Sequence, residues 1–209
     1  MIAVRDDYMK VLVTAFDPFG GDDTNSSMMT LERLGDELDG IIIKKLIIPT
    51  VFTEAARIVW DEAKKAEADV ILSLGQAGGR SAVTVEVIGI NYAYAKIEDN
   101  ARVLKNGEKL FKEGEAAYFS TLPVKEMVES VKKCGFNAEI STSAGAFVCN
   151  SLLYTLLKNS KDENRDIKIG FVHLPYEIGQ GKEYFSMKAE DMCLCVEEMI
   201  KTIKNSERI

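Results

Sequence analysis

One histidine stands in this chain, His173, and any imidazole chemistry must use it. Four cysteines accompany it: Cys134, Cys149, Cys193 and Cys195. A thiol and an imidazole are the parts of a nucleophile–base pair, in which the ring holds the thiol proton while sulfur attacks a carbonyl. The thiols differ in setting. Cys149 lies in Ser143-Ala-Gly-Ala-Phe-Val-Cys-Asn-Ser, where small and hydroxyl residues mark a helix start somewhere between Ser143 and Cys149. There the free backbone N–H groups and the positive end of the helix dipole favour the thiolate. Cys134 is expected at a helix C-terminus, where the dipole disfavours it, and Cys193 and Cys195 on different faces inside the last helix. Read alone, each thiol is equally a small buried hydrophobe.

His173 ends an apolar run and shares a strand face with Ile167, Ile169 and Phe171. Its alternative is a core histidine bonded to backbone. Glu86 interrupts Val83-Thr84-Val85-Glu86-Val87-Ile88, a run apolar on both faces. A carboxylate buried there needs a partner, and one task for it is to orient an imidazole and stabilise its charged form. The other reading is an edge strand with Glu86 in water. Gly75-Gln-Ala-Gly-Gly-Arg80 lacks the Gly-Lys-Ser/Thr ending of a phosphate loop and is not Gly-x-Gly-x-x-Gly, but its glycines permit close approach of backbone to a ligand.

These residues need a frame. Strand patterns cover residues 10–16, 41–48, 69–74, 83–90, 138–141 and 167–173. Helical patterns cover 28–38 (with Ser26 or Ser27 as N-cap), 53–65, 124–134, part of 143–158, and 187–203. Residues 95–117 read as a long loop or lid, with a short strand near 101–104. Strands alternating with helices imply a layered α/β fold with a mostly parallel sheet. In such sheets ligands collect beyond the carboxyl ends of the strands. Four strand ends carry unusual residues there: Phe16–Gly21, Gly75–Arg80, Ser141–Asn150 and Val172–Tyr176.

The 209 residues, 46% hydrophobic and 28% charged, suit one domain with a sizeable core. A net charge of −7 with no Lys/Arg run gives no support to nucleic-acid or anionic-membrane binding. The apolar stretches are too short to span a bilayer. The first ten residues, with Arg5-Asp6-Asp7 and no apolar core, do not read as a signal peptide. No Cys-x-x-Cys pair occurs, and one histidine cannot complete a zinc site of the usual spacing, so no metal is expected. Together these point to a reducing compartment, the cytoplasm.

Six collinear segments resemble the pyroglutamyl-peptidase I family: Phe16–Gly21 (FDPFGG), Gly75–Arg80 (GQAGGR), Val83–Asn91 (VTVEVIGIN), Ala116–Lys125 (AAYFSTLPVK), Ser143–Tyr154 (SAGAFVCNSLLY) and Gly170–Tyr176 (GFVHLPY). The resemblance implies a single catalytic domain over residues 1–209. That domain would be three-layered, phosphorylase/hydrolase-like, with a central, mostly parallel twisted sheet flanked by helices. It implies a cysteine peptidase that hydrolyses N-terminal pyroglutamyl residues from peptides, without cofactor, as a homotetramer. It places the catalytic Cys, His and Glu on Cys149, His173 and Glu86. Phe16 and Phe19 would hold the lactam ring, Thr50, Ile97, Phe147 and Val148 would complete the walls, and the Gln76 backbone would bond the lactam amide. Backbone N–H groups near Cys149 would meet the oxyanion, with Arg80 as a candidate assisting donor. The chain departs from the family pattern at Ala146 and Phe147, where Thr-Tyr is usual, and at Lys96, where Arg is usual. Rival readings are a binding protein that has lost catalysis and a nucleoside phosphorylase-like enzyme using the glycine turns for phosphate.

Overall fold

Alternation of side chains along the strands builds the centre of this molecule. The computed structural model describes residues 8–206, and Arg5-Asp6-Asp7, on which the reading of the N-terminus rests, lies outside the described residues. In chain order the elements are β1 (Met9–Phe16), α1 (Ser26–Arg33), β2 (Glu37–Leu38), β3 (Ile41–Ile48), α2 (Glu54–Ala66) and β4 (Val70–Gln76). Next come β5 (Val83–Glu86), β6 (Ile88–Ile90), β7 (Ala93–Tyr94), β8 (Asn106–Glu108), β9 (Ala117–Phe119) and α3 (Val124–Lys133). β10 (Ala138–Ser141), α4 (Val148–Asp162), β11 (Lys168–Leu174), β12 (Tyr176–Glu177), a single 3-10 turn at Ile178–Gln180, β13 (Ser186–Met187) and α5 (Ala189–Ser206) complete it.

Seven strands form one sheet in the order β10-β5-β11-β4-β1-β3-β2. Neighbours run parallel except at β5–β11 and β2–β3. Val11, Val13 and Ala15 of β1 face a core closed by α1, α3 and α5, while Leu12 and Phe16 face one closed by α2 and α4. Each fully buried Leu, Ile or Phe of these cores contributes about 1.5–3 kcal/mol by leaving water. The result is a single three-layer α/β domain with a mostly parallel sheet, as expected. Among the described residues no helix is long and apolar enough to cross a membrane.

Three local expectations are corrected. The helix expected over residues 28–38 is Ser26–Arg33, capped by the Asn25 side chain, which accepts from Ser27 N. Residues 37–38 instead form a hairpin strand on β3, turned by Asp39 and Gly40, both at positive φ (49° and 71°). The strand expected over 83–90 divides at Val87: β5 stays in the main sheet, and β6 pairs with β9 in a separate ribbon. No strand forms at 101–104; within this loop the strand is Asn106–Glu108, paired with β7.

Candidate active site

The alternation that builds the cores also gathers the chemistry. On β11, Ile169 and Phe171 face the α2–α4 core, so His173 points to that side too. On β5, Val83 and Val85 enter the opposite core, which turns Thr84 and Glu86 toward the His173 face. The antiparallel register sets Phe171 against Glu86 and His173 against Thr84, making Glu86 and His173 diagonal neighbours. Glu86 Oε1 lies 2.7 Å from His173 Nδ1, with Glu86 0% and His173 4% exposed. β5 lies between β10 and β11, so the water-facing edge strand is excluded. The Phe171 ring, 4.8 Å from the imidazole centroid, backs the histidine.

Cys149 is the second residue of α4, whose N-cap, Phe147, makes no side-chain capping bond. The first amide bonded back into the helix is Ser151 N, to Phe147 O. The amides of residues 148–150 therefore have no acceptor within the helix and stand available to a developing anion. The sulfur is seated over β4: a Cβ placed on Gly75 would lie 3.2 Å from Cys149 Sγ and 2.8 Å from Phe171. Gly75 is the register partner of His173. The missing side chain thus opens the space in which a thiol on α4 meets the strand adjoining the imidazole. Gly75 belongs to β4 rather than to the turn after it.

Burial pushes the Cys149 thiol up to about 12, and the Glu86 charge adds to this, against opposing contributions from Arg80 and the Cys149 backbone N–H. Burial also lowers the His173 pKa, outweighing the hydrogen bond and charge of Glu86 that would raise it. For Glu86, burial favours the neutral acid, but His173, the Ser141 hydroxyl and Arg80 outweigh it and hold the carboxyl below its ordinary range. At rest the site is therefore a thiol, a neutral imidazole and a carboxylate. Since the carboxylate only accepts, Nδ1 carries the ring proton and Nε2 is the base. The resting form is therefore the thiol, where the helix start alone would favour the thiolate.

Beside this group lie the aromatic residues. Phe16 (2% exposed) and Val148 are buried in the α2–α4 core, while Phe147 and Cys149 pack against it half-buried. Phe147 meets Phe19 at 6.1 Å and Phe52 edge-on at 5.3 Å. Ile97, 47% exposed, reaches over Gly20. Thr50 is buried and held by Asp17 through N–H···Oδ1 at 2.6 Å. Gln76, at the end of β4, accepts from Ser26 N and Gln180 Nε2 through its side chain, both at 2.8 Å. Lys96 is exposed. Arg80 contacts Thr84, Glu86 Oε1 (2.6 Å) and Ser143 O (3.0 Å).

Several supporting residues escaped the sequence reading. Asp99 accepts from Phe52, Ala101 and Val103 N–H groups, at 3.0, 2.9 and 2.9 Å. Asn100 donates to Asp17 Oδ1 and Pro18 O. These bonds tie the loops after β1, β3 and β7 into one wall. In the sequence they show only as a polar Glu-Asp-Asn cluster, which reads as a generic loop.

The sequence model of the pyroglutamyl peptidase family matches residues 9–207. The chain is 44% identical over 203 residues to the pyrrolidone-carboxylate peptidase of Thermoanaerobacter sp. (strain X514), covering 96% of this chain and 100% of that one. It superposes on the crystal structure of pyroglutamyl peptidase I from Bacillus amyloliquefaciens with a TM-score of 0.91 at 36% identity, over 94% of this chain and 95% of that one. The pyrrolidone carboxyl peptidase of Thermococcus litoralis gives 0.91 at 29% identity, over 96% and 95%. With match, identity and fold in agreement along nearly its whole length, the chain belongs to the pyroglutamyl peptidase family.

Proposed function

We infer that this chain removes an N-terminal pyroglutamyl residue from peptides by acyl transfer through a thioester on Cys149. The observation that carries this is the buried Glu86–His173 pair at 2.7 Å, with the Cys149 sulfur seated over Gly75 beside it. Nε2 of His173 takes the thiol proton as sulfur bonds to the pyroglutamyl carbonyl carbon. The oxyanion is met by the free amides at the start of α4. Collapse breaks the C–N bond, and the imidazolium gives its proton to the leaving amine. Water then attacks the thioester, losing a proton to Nε2. The C–S bond breaks, sulfur recovers that proton, and pyroglutamate leaves. Glu86 keeps the ring in its Nδ1–H tautomer and stabilises the imidazolium.

The ring pocket follows from the aromatic wall. Pyroglutamate is flat and neutral and has no free α-amine, so no carboxylate is needed to meet it. Phe16, Phe19 and Phe147 would form its faces, with Thr50, Ile97 and Val148 around them and the Gln76 backbone on the lactam amide. Residues 1–209 act as one catalytic domain. On the same footing it is a cytoplasmic homotetramer needing no cofactor, nucleic acid or membrane. The phosphorylase-like reading loses its cradle: the Tyr176 ring fills the space over Gly78, and Arg80 is engaged by Glu86. Hydrolysis of pyroglutamyl, prolyl and glutaminyl coumarin amides tests the function. Cleavage of the first alone is expected, since mismatched buried polar groups cost factors of about 10⁴. Comparable kcat/KM on the prolyl amide would remove the pocket, and phosphate-dependent activity insensitive to thiol reagents would restore the phosphorylase reading.

A further inference from the structure

We propose that Arg80 is a positioning residue: its guanidinium fixes Glu86 as the partner of His173 and ties the loop that delivers Cys149 to the same carboxylate. This rests on the reading of Glu86, His173 and Cys149 given above. Glu86 offers one oxygen to both neighbours, Oε1 standing 2.7 Å from His173 Nδ1 and 2.6 Å from Arg80 Nη1. Its Oε2 is buried and makes no hydrogen bond of normal length among the described residues. Without Arg80, a wholly buried carboxylate would face only a neutral ring and the neutral Ser141 hydroxyl, and a buried charge with no opposite charge beside it is costly. The pair could relieve that cost only by taking up a proton. On Glu86 that proton would remove the charge that steadies the imidazolium. On Nε2 it would occupy the site that must receive the thiol proton. Arg80 supplies a permanent positive charge, so Arg, Glu and neutral His sum to zero with no proton taken up.

The fork of the guanidinium matters as well as its charge. Nη1 also contacts the Thr84 hydroxyl, on the residue opposite His173, and Nη2 donates to Ser143 O at 3.0 Å. Ser143 begins the segment that enters α4 at Val148. One planar group therefore holds β5 and the approach to the nucleophile in a fixed relation, which a Lys point charge cannot do. These contacts give Arg80 a task different from oxyanion support. Its side chain is 28% exposed, at an open recess of about 400 Å³ lined by Ser81, Thr84, Glu139 and Ser143. The charged and titratable groups meeting the pair are Arg80 from the turn after β4, Cys149 from α4 and, across the recess, Glu139 on β10, beside the neutral Ser141. Arg80 pulls the pKa of the carboxyl, the imidazole and the thiol downward alike.

The test uses Arg80→Ala, Arg80→Gln, Arg80→Lys, Glu86→Gln and the double variant Arg80→Ala/Glu86→Gln, in tag-free protein. Because the chain has one histidine, an NMR titration of the imidazole reads His173 directly. In Arg80→Ala the imidazole titration and the acid limb of kcat/KM should move up by about one pH unit or more. The kcat should fall while KM changes by less than about threefold. Arg80→Lys should keep most of the acid limb but not all of kcat. The double variant should be no slower than Glu86→Gln within about threefold, because the two side chains act through one another. An unmoved imidazole titration in Arg80→Ala, or losses that multiply in the double variant, would overturn the proposal. If Arg80→Ala does not fold, Arg80→Gln carries the same expectations. A Glu86→Gln variant with unchanged rate and pH profile would instead sink the underlying triad reading.

Discussion

At Cys149 two influences compete, and their balance sets the resting state. The helix start favours the thiolate, but burial and the Glu86 charge hold the thiol at about 12. The proton therefore leaves sulfur during attack rather than before it, and the base must be a neutral ring. His173 is kept neutral because its folded pKa lies below the ordinary 6.5. The acid limb of kcat/KM should then fall below pH 6.5: activity is full above that value and lost as pH drops through the lowered His173 pKa. A measured limb at or above 6.5 would contradict this. Glu86→Gln should keep the fold and product binding yet slow turnover by at least about tenfold, since an orienting carboxylate acts on the imidazolium. Unchanged turnover across the pH profile would make Glu86 structural. Both residues stood out in the sequence, His173 as the one histidine at the end of an apolar strand and Glu86 as a carboxylate interrupting one. Their 2.7 Å contact did not, because it depends on β5 running antiparallel to β11, an exception within a mostly parallel sheet.

Among the elements, β4 carries a steric constraint that bears directly on the site. A methyl group on Gly75 would press on Phe171 at 2.8 Å and on the Cys149 sulfur at 3.2 Å. Gly75→Ala should displace the thiol or the ring behind His173, and misplacement by about 1 Å can cost about 10²-fold in rate. Far-UV circular dichroism should remain that of the α/β fold. A variant with unaltered kcat would show that the sulfur does not work from this position. The strands of the main sheet were legible because β-branched runs end at turn residues. The division at Val87 was not, because residues 88–90 look the same whether they pair with β5's neighbours or with β9. The Asp39-Gly40 pair is a two-residue hairpin signal in the sequence, and it outweighs the helical spacing through residue 38 and places Glu37–Leu38 on β3. Asn25, which caps α1 from one residue before the expected serines, shows how one extra polar side chain moves a helix start.

Across the whole molecule, loops from distant parts of the chain meet at one end of the sheet, and small polar residues fix their arrangement. Asp99 and Asn100 bind the segments at 17–18 and 50–52, from which Phe19 and Phe52 meet Phe147 at the start of α4. This convergence was not legible, because each bond joins residues far apart in sequence. It separates the two proposed ring-binding phenylalanines. Phe19→Ala, at a half-buried site, should raise KM strongly with little loss of stability. Phe16→Ala should cost about 3–5 kcal/mol through the cavity it leaves, so thermal melting must accompany its kinetics. An unaltered KM in Phe19→Ala would remove that ring from the pocket. The most direct test of Cys149 as the nucleophile is hydrolysis of a pyroglutamyl coumarin amide by the wild type, by Cys149→Ala, and by Cys134→Ser, Cys193→Ser and Cys195→Ser. Turnover should vanish in Cys149→Ala and persist in the other three. Retained turnover in Cys149→Ala would contradict that assignment.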